Sequence, residues 1–252
     1  ELGLPERNLD VKKIPMSKSQ YELYNMLMDE FKLEFANFNS KTKINARKLR
    51  HVMKLLKICS NPQLLANDEY LPNKFKLLFQ DECNKINTAC ELTRKNYVKG
   101  EKTLIWSTFR KNIELLTLRL KDIGAEYIYG GVKTGDKKDP QTREYKINRF
   151  NNDPDCNVLI ANPAAASEGI SLHKACNTAI YIDRTFNAAQ YLQSIDRIHR
   201  IGSTDPKNII ILQHKNTIDE RVHKRLEDKI DLMEEVLNDS SIDFSIEDVT
   251  LN

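Results

Sequence analysis

From residue 101 onward the chain alternates short apolar runs with amphipathic stretches. The apolar runs are TLIWS (103–107), EYIYG (126–130), NVLIAN (157–162), TAIYID (178–183) and NIIILQH (208–214). Between most of them lie helical patterns, RKNIELLTLRLKDIG, TREYKINRFNN and QYLQSIDRIHRIG. Continuous apolar strands alternating with helices predict an α/β fold, a parallel sheet covered on both faces. The stretch TIDERVHKRLEDKIDLMEEVL closes this region as a helix. Thr217 and Glu220 fit a capping box there, and Ile218, Val222, Leu226, Ile230, Met233 and Leu237 form one buried stripe. Upstream, residues 17–39 read as a helix capped by Ser17 or Ser19, and 45–65 as a second that Asn61-Pro62 interrupts. A polar stretch at 67–73 reads as a linker and 75–97 as a further helix. The expected organisation is a helical segment over 1–70, an α/β lobe over 71–230 and an acidic tail over 231–252.

Within QYLQSIDRIHRIG, Tyr191, Ile195 and Ile198 recur at helical spacing on one face. Gln193, Arg197 and Arg200 recur at the same spacing on the other. Such a row is either a solvated face or a set of groups aimed at an anion. In parallel sheets ligands sit beyond the carboxyl ends of the strands. The polar and small residues just after each run therefore matter: Ser107, Thr108 and Phe109, Gly130 and Gly131, residues 162–169 and residues 183–187. Ser107 or Thr108 also qualifies as a plain cap for the helix beginning near Arg110.

Composition narrows the class. The 252 residues, 40% hydrophobic and 30% charged, suffice for one large domain or a domain with an appendage. No apolar run approaches the roughly 18 residues of a membrane span, and the start lacks a signal-peptide core, so a soluble chain with no membrane partner is expected. The five cysteines form no C-x-x-C pair and no zinc pattern, which suits reduced thiols in a cytosolic or nuclear protein. The net charge of +3 is unevenly spread. KTKINARKLRHVMKLLK (41–57) holds seven Lys or Arg and no acid, whereas 231–252 holds seven Asp or Glu and no Lys or Arg. The basic stretch suits a polyanion partner or a solvated face opposite Leu49, Val52, Met53, Leu56 and Cys59. The acidic end reads as a solvated tail.

Several chemistries are missing. The nearest approach to a phosphate-cradling loop, GGVKTGDK (130–137), has Asp136 where the lysine must stand. No Asp-Glu pair follows an apolar run to hold Mg-ATP. No H-E-x-x-H, G-x-G-x-x-G or Ser-His-Asp order is present. On its own, the chain is not expected to perform a reaction.

TLIWSTF, YIYGG, Arg143 followed by RFNN, VLIANPAAASEGISLHKA, YIDRTFN and QSIDRIHRIG, in this order and spacing, resemble the second RecA-like lobe of Swi/Snf-type superfamily-two helicases. The match runs from Thr103 to about Glu227 and extends weakly backwards. The family consists of ATP-driven translocases on double-stranded nucleic acid. The resemblance implies a RecA-like sheet that binds double-stranded DNA and works against an N-terminal RecA-like lobe of the same protein. ATP with Mg2+ would be held mainly by that first lobe, preceding Glu1, so this chain alone should bind ATP weakly and hydrolyse none. It also implies Arg197 and Arg200 as arginine fingers and Gln193, Gly169 and Asp196 on the ATP side. Ser107, Thr108, Lys111, Lys133, Asn162 and Ser167 fall on the nucleic-acid side, with no metal ligand here. Four positions depart from the pattern: Ala166 and Ser167 stand where glycines are usual, Ala188 replaces a proline, and Ser203 a glutamine. The short helical insertion favours a compact bacterial or phage-like cytoplasmic member, with a nuclear location if eukaryotic. The alternatives are a non-catalytic nucleic-acid or protein binding module and the lobe of an RNA helicase.

Overall fold

The computed structural model describes residues 3–36, 41–69, 71, 83–165, 170–203 and 205–238, with 35–36, 41–47 and 233–238 as backbone alone. The strands are β1 (Arg7–Lys13), β2 (Thr103–Trp106), β3 (Ala125–Ile128), β4 (Val158–Ala161), β5 (Thr178–Tyr181) and β6 (Lys207–Gln213). The helices are α1 (Lys18–Ala36), α2 (Lys41–Ser60), α3 (Asn84–Val98), α4 (Arg110–Arg119), α5 (Arg143–Asn152), α6 (Ala188–Ile195) and α7 (Ile218–Asn238). One six-stranded sheet has the order β1-β6-β5-β2-β4-β3, and every pairing is parallel.

Every residue of β2, β4 and β5 is buried, which explains their unbroken apolar sequence. Alternate side chains feed two cores. Leu104, Trp106, Leu159, Ala161, Ala179 and Tyr181 meet Phe150 of α5, Tyr191 and Ile195 of α6, Leu226 of α7 and Leu23, Leu27, Leu56 and Ile58 of α1 and α2. Ile105, Val158, Ile160 and Ile180 meet Ile86 of α3 and Ile113 and Leu116 of α4 on the other face. Between α4 and β3, Gly124 turns the chain at φ +73°, where a Cβ would lie 1.7 Å from the Asp155 carbonyl oxygen.

Four expectations change. Residues 7–13, expected within a helical segment, form an edge strand whose mostly exposed side chains carry little apolar pattern. The helices α1 and α2 share the core beneath the sheet, so packing runs continuously across residue 70. Leu49 of α2 is 62% exposed, and Leu55 and Ile58 are buried on that helix instead. The predicted capping box is displaced. Thr217 Oγ1 accepts from the Asp219 amide, while the Glu220 carboxylate accepts from the amide of Asn216, a left-handed residue. Tyr70, Pro72 and Asn73 of the predicted linker and the start of the 75–97 helix, as far as residue 82, lie outside the described residues, as do Asp239 to Asn252 of the acidic tail.

His214, just after β6, joins the first strand region to the last. Its Nδ1 donates to the Ile14 carbonyl at 2.7 Å, and Nε2 accepts from Gln20 Nε2, itself bonded to the Ile58 carbonyl. Both ring nitrogens are used by the neutral ring, and burial, then the Lys85 cation, push its pKa from 6.5 down to about 4. A depressed histidine pKa means the unfolded chain binds the proton first as pH falls. Stability is therefore expected to fall by about 3 kcal/mol between pH 6.5 and 4, and the His214→Gln variant should lack that loss. Urea unfolding of both proteins across this range measures it. Equal losses in the two would remove His214 as the cause.

Candidate functional site

The carboxyl ends of β2, β4 and β5 meet at the buried carboxylate of Asp183. It accepts from Ser107 Oγ at 2.7 Å, from the Thr108 amide at 2.6 Å and from Ser60 Oγ, at the end of α2, at 2.6 Å. Asn162, at the end of β4, donates from Nδ2 to the Thr108 carbonyl and accepts from the Ala164 amide. The Thr108 main chain is thus held from both sides, and its half-buried hydroxyl has no hydrogen-bond partner among the described residues. Neither Ser107 nor Thr108 caps α4: Phe109 occupies the cap position, without a side-chain cap bond. Ser107 is fully buried and its hydroxyl is committed to Asp183, which makes it a support rather than a surface contact. The composition of the strand ends drew attention to Asp183, but not to Ser60 or Asn112, which complete its surroundings from distant helices.

The arginines sit on a different platform. Asn187 caps α6 through its side chain, accepting from the Gln190 amide, and Tyr181 and Tyr191 pack edge to face. The Tyr181 and Ser194 hydroxyls bond at 2.6 Å, and Tyr191, Ile195 and Ile198 are buried as one stripe. The helix ends at Ile195 with Asp196 as its cap residue, so Arg197 and Arg200 lie in the turns that follow rather than on a continuing helix. The reason lies partly in a distant segment. The Arg197 carbonyl accepts from the Leu172 amide at 2.9 Å, and Ile198 bonds back to Ile195 in a tighter turn.

The two guanidinium groups differ. Arg197 is half-buried and donates from Nη1 to the Ile170 carbonyl at 3.1 Å. Burial first, and then repulsion by Arg200, lowers its pKa. Arg200 is exposed. Burial, then Lys174 and Arg200, also holds His173 below its usual value. Arginines that repel one another and depress a neighbouring histidine form a field that an anion would relieve. Such a donor set fits a polyphosphate, with Arg200 the group free to reach it. Gln193 and Asp196 are exposed on the same segment. Lys111 on α4 and Lys133 in the loop after β3 are exposed cations. Ser167 and Gly169 lie outside the described residues. Among the described residues, no group of three or more His, Cys, Asp or Glu could hold a metal ion, and no helix is long and apolar enough to cross a membrane.

Residues 84–202 match the helicase conserved C-terminal domain. The chain is 30% identical over 187 residues to the ATP-dependent helicase FUN30 of Saccharomyces cerevisiae, covering 71% of this chain and 15% of that protein. It is 29% identical over 187 residues to the ATP-dependent DNA helicase DDM1 of Arabidopsis thaliana, covering 72% and 23%. An uncharacterised ATP-dependent helicase of Mycoplasma pneumoniae is 27% identical over 225 residues, covering 89% and 20%. The chain thus spans less than a quarter of each of these relatives. Among solved structures, the C-terminal part of the Fun30 ATPase domain superposes with a TM-score of 0.64 at 21% identity, covering 88% of this chain and 90% of that one. The Sulfolobus solfataricus SWI2/SNF2 ATPase core in complex with dsDNA gives 0.70 at 19% identity, covering 94% and 47%.

Proposed function

We propose that this chain, whose residues 84–202 match the helicase conserved C-terminal domain, is the C-terminal RecA-like lobe of a Swi/Snf-type helicase and serves as the second motor lobe of an ATP-dependent translocase on double-stranded DNA. The observation that carries the reading is the pairing of a tethered, half-buried Arg197 with an exposed Arg200 beyond a buried apolar stripe. Phosphoryl transfer needs positive charge on the leaving and transferred oxygens, and a guanidinium supplies a permanently charged planar fork. ATP with Mg2+ supplies the reacting phosphate, and an N-terminal lobe of the same protein holds it. Arg200 reaches across as the main finger, Arg197 partners it, and Gln193 and Asp196 line the same side, with Gly169 assigned to ATP binding by the family resemblance. This chain alone binds ATP weakly and turns none over. Because the fingers come from one lobe and the phosphate grip from the other, hydrolysis requires closure, which couples chemistry to movement.

On the nucleic-acid side, Thr108, Lys111, Lys133, Asn162 and Ser167 contact backbone, and Ser107 supports Thr108 from within. Such contacts position a duplex without reading its sequence. The exposed Lys48 and Arg50 of α2 extend the positive surface. The test is binding of unrelated duplexes by the full-length protein. Affinities should be alike for different sequences, and four phosphate contacts would weaken binding about a hundredfold between roughly 50 and 200 mM salt. A preference for one sequence or a flat salt response would sink the reading, and a clear preference for duplex RNA would move it to the RNA-helicase class.

A further inference from the structure

Asp183 is 6% exposed, and no Lys or Arg forms an ion pair with it among the described residues. Its charge is satisfied by hydrogen bonds alone. Oδ2 accepts from Ser60 Oγ and Ser107 Oγ, and Oδ1 from the Thr108 amide. Charge-assisted bonds of this kind are strong and directional, and a buried carboxylate is costly unless all its donors stay in place. The donors come from separate parts of the chain. Ser60 ends the basic helix α2, whereas Ser107 and Thr108 begin the turn after β2. Asn112 of α4 reinforces the junction, donating to Ser60 Oγ at 2.8 Å and accepting from Asn61 Nδ2 at 2.9 Å. The carboxylate consumes the Thr108 amide and leaves its hydroxyl unbonded among the described residues.

We propose that Asp183 is a positioning residue that locks the basic helix α2 and the Thr108 turn into one rigid nucleic-acid-binding body. The inference rests on the duplex-binding reading above and adds what makes its two contact regions act together. Without the carboxylate, the Asn112 bonds to Ser60 and Asn61 still join α2 to α4, but the Thr108 amide loses its tie to that junction and the turn can shift against α2. Each contact would then have to be ordered anew when a duplex binds.

The test uses the full-length protein. Removing an acidic group should, by charge alone, strengthen binding to a polyanion. Asp183→Ala is instead expected to weaken duplex affinity by about tenfold, the worth of one charge-assisted bond. The duplex concentration for half-maximal ATPase stimulation should rise in step, with the rate at saturating duplex and the salt slope kept. Hydrogen exchange of the 103–112 peptide should quicken while exchange of β4 stays as it was. Thr108→Ala should weaken binding in the wild type and add nothing in Asp183→Ala. Asp183→Asn keeps an acceptor for the Thr108 amide and should fall between the two. If Asp183→Ala does not fold, Ser60→Ala decides, because it removes the α2 ends of the Asp183 and Asn112 bonds, leaves the Thr108 tie in place and should still weaken duplex binding several-fold. Unchanged or tighter binding by the folded variants, or full additivity with Thr108→Ala, would overturn the proposal. A wild-type protein that shows no salt-dependent duplex binding would instead overturn the duplex reading itself.

Discussion

Arg200→Ala in the full-length protein is expected to remove most DNA-stimulated ATP hydrolysis, by roughly 10³–10⁵-fold, the range for arginine fingers in phosphoryl transfer. ATP affinity should change far less, because the phosphates are gripped mainly by the other lobe in this mechanism. Folding should be intact. Arg200 is exposed, and substitutions at such positions change stability by about half a kcal/mol or less. Arg197→Ala is a less clean experiment, since that side chain also ties down the Ile170 carbonyl. Arg200→Lys keeps the charge but loses the fork and should rescue poorly. Single-turnover hydrolysis with saturating duplex measures the effect. A folded, DNA-bound Arg200→Ala that retains activity within a few-fold of wild type would return the arginine row to a solvated surface.

The second large effect is on stability. Lys85 of α3 is fully buried, and its ammonium donates to Asp219 of α7 at 2.6 Å and to the Ile182 carbonyl at 3.2 Å. The Asp219 carboxylate also accepts from the His214 amide at 2.9 Å. Asp219→Ala leaves that lysine charged, buried and without its counter-ion, which should cost about 3–5 kcal/mol. Replacing both, as Lys85→Met with Asp219→Ala, removes the stranded charge and should recover much of the loss. Denaturant unfolding of the two singles and the double closes the cycle. Equal destabilisation by the double and by Asp219→Ala would show that the stranded lysine is not the source of the cost.

How far such features could be foreseen depended on whether their cause was local. Strands β2, β4 and β5 were legible because burial on both faces writes an unbroken apolar run, and β3 and β6 through the shorter apolar stretches at Tyr127-Ile128 and Ile209 to Leu212. The stripe of Tyr191, Ile195 and Ile198 was legible for the same reason, through helical spacing. The end of α6 was not, because what stops the helix is the Leu172 amide capturing the Arg197 carbonyl. Lys85 reads as a surface lysine on an amphipathic helix, and its counter-ion lies 134 residues later. Ser107 was rightly singled out as a polar strand end, but only its burial against Asp183 shows that its hydroxyl is spent inside. The first strand, RNLDVKK, offers almost no signal, since it lies at a sheet edge and pairs with a strand far along the chain.

That last pairing has a kinetic consequence. Arg7 lies opposite Lys207 and Lys13 opposite Gln213, so β1 has no strand to join until the end of the lobe exists. At ribosomal speeds of about 5–20 residues per second, it waits roughly 10–40 s after synthesis while β2 to β5 can already assemble. The closure of so long a loop comes late and slowly. During that interval β5 is the open edge of the growing sheet, and β1, with its lysines, arginine and aspartate, is a segment that water tolerates well while it waits. The polar character that hid this strand in the sequence is the same property that lets the nascent chain carry it unpaired without clumping.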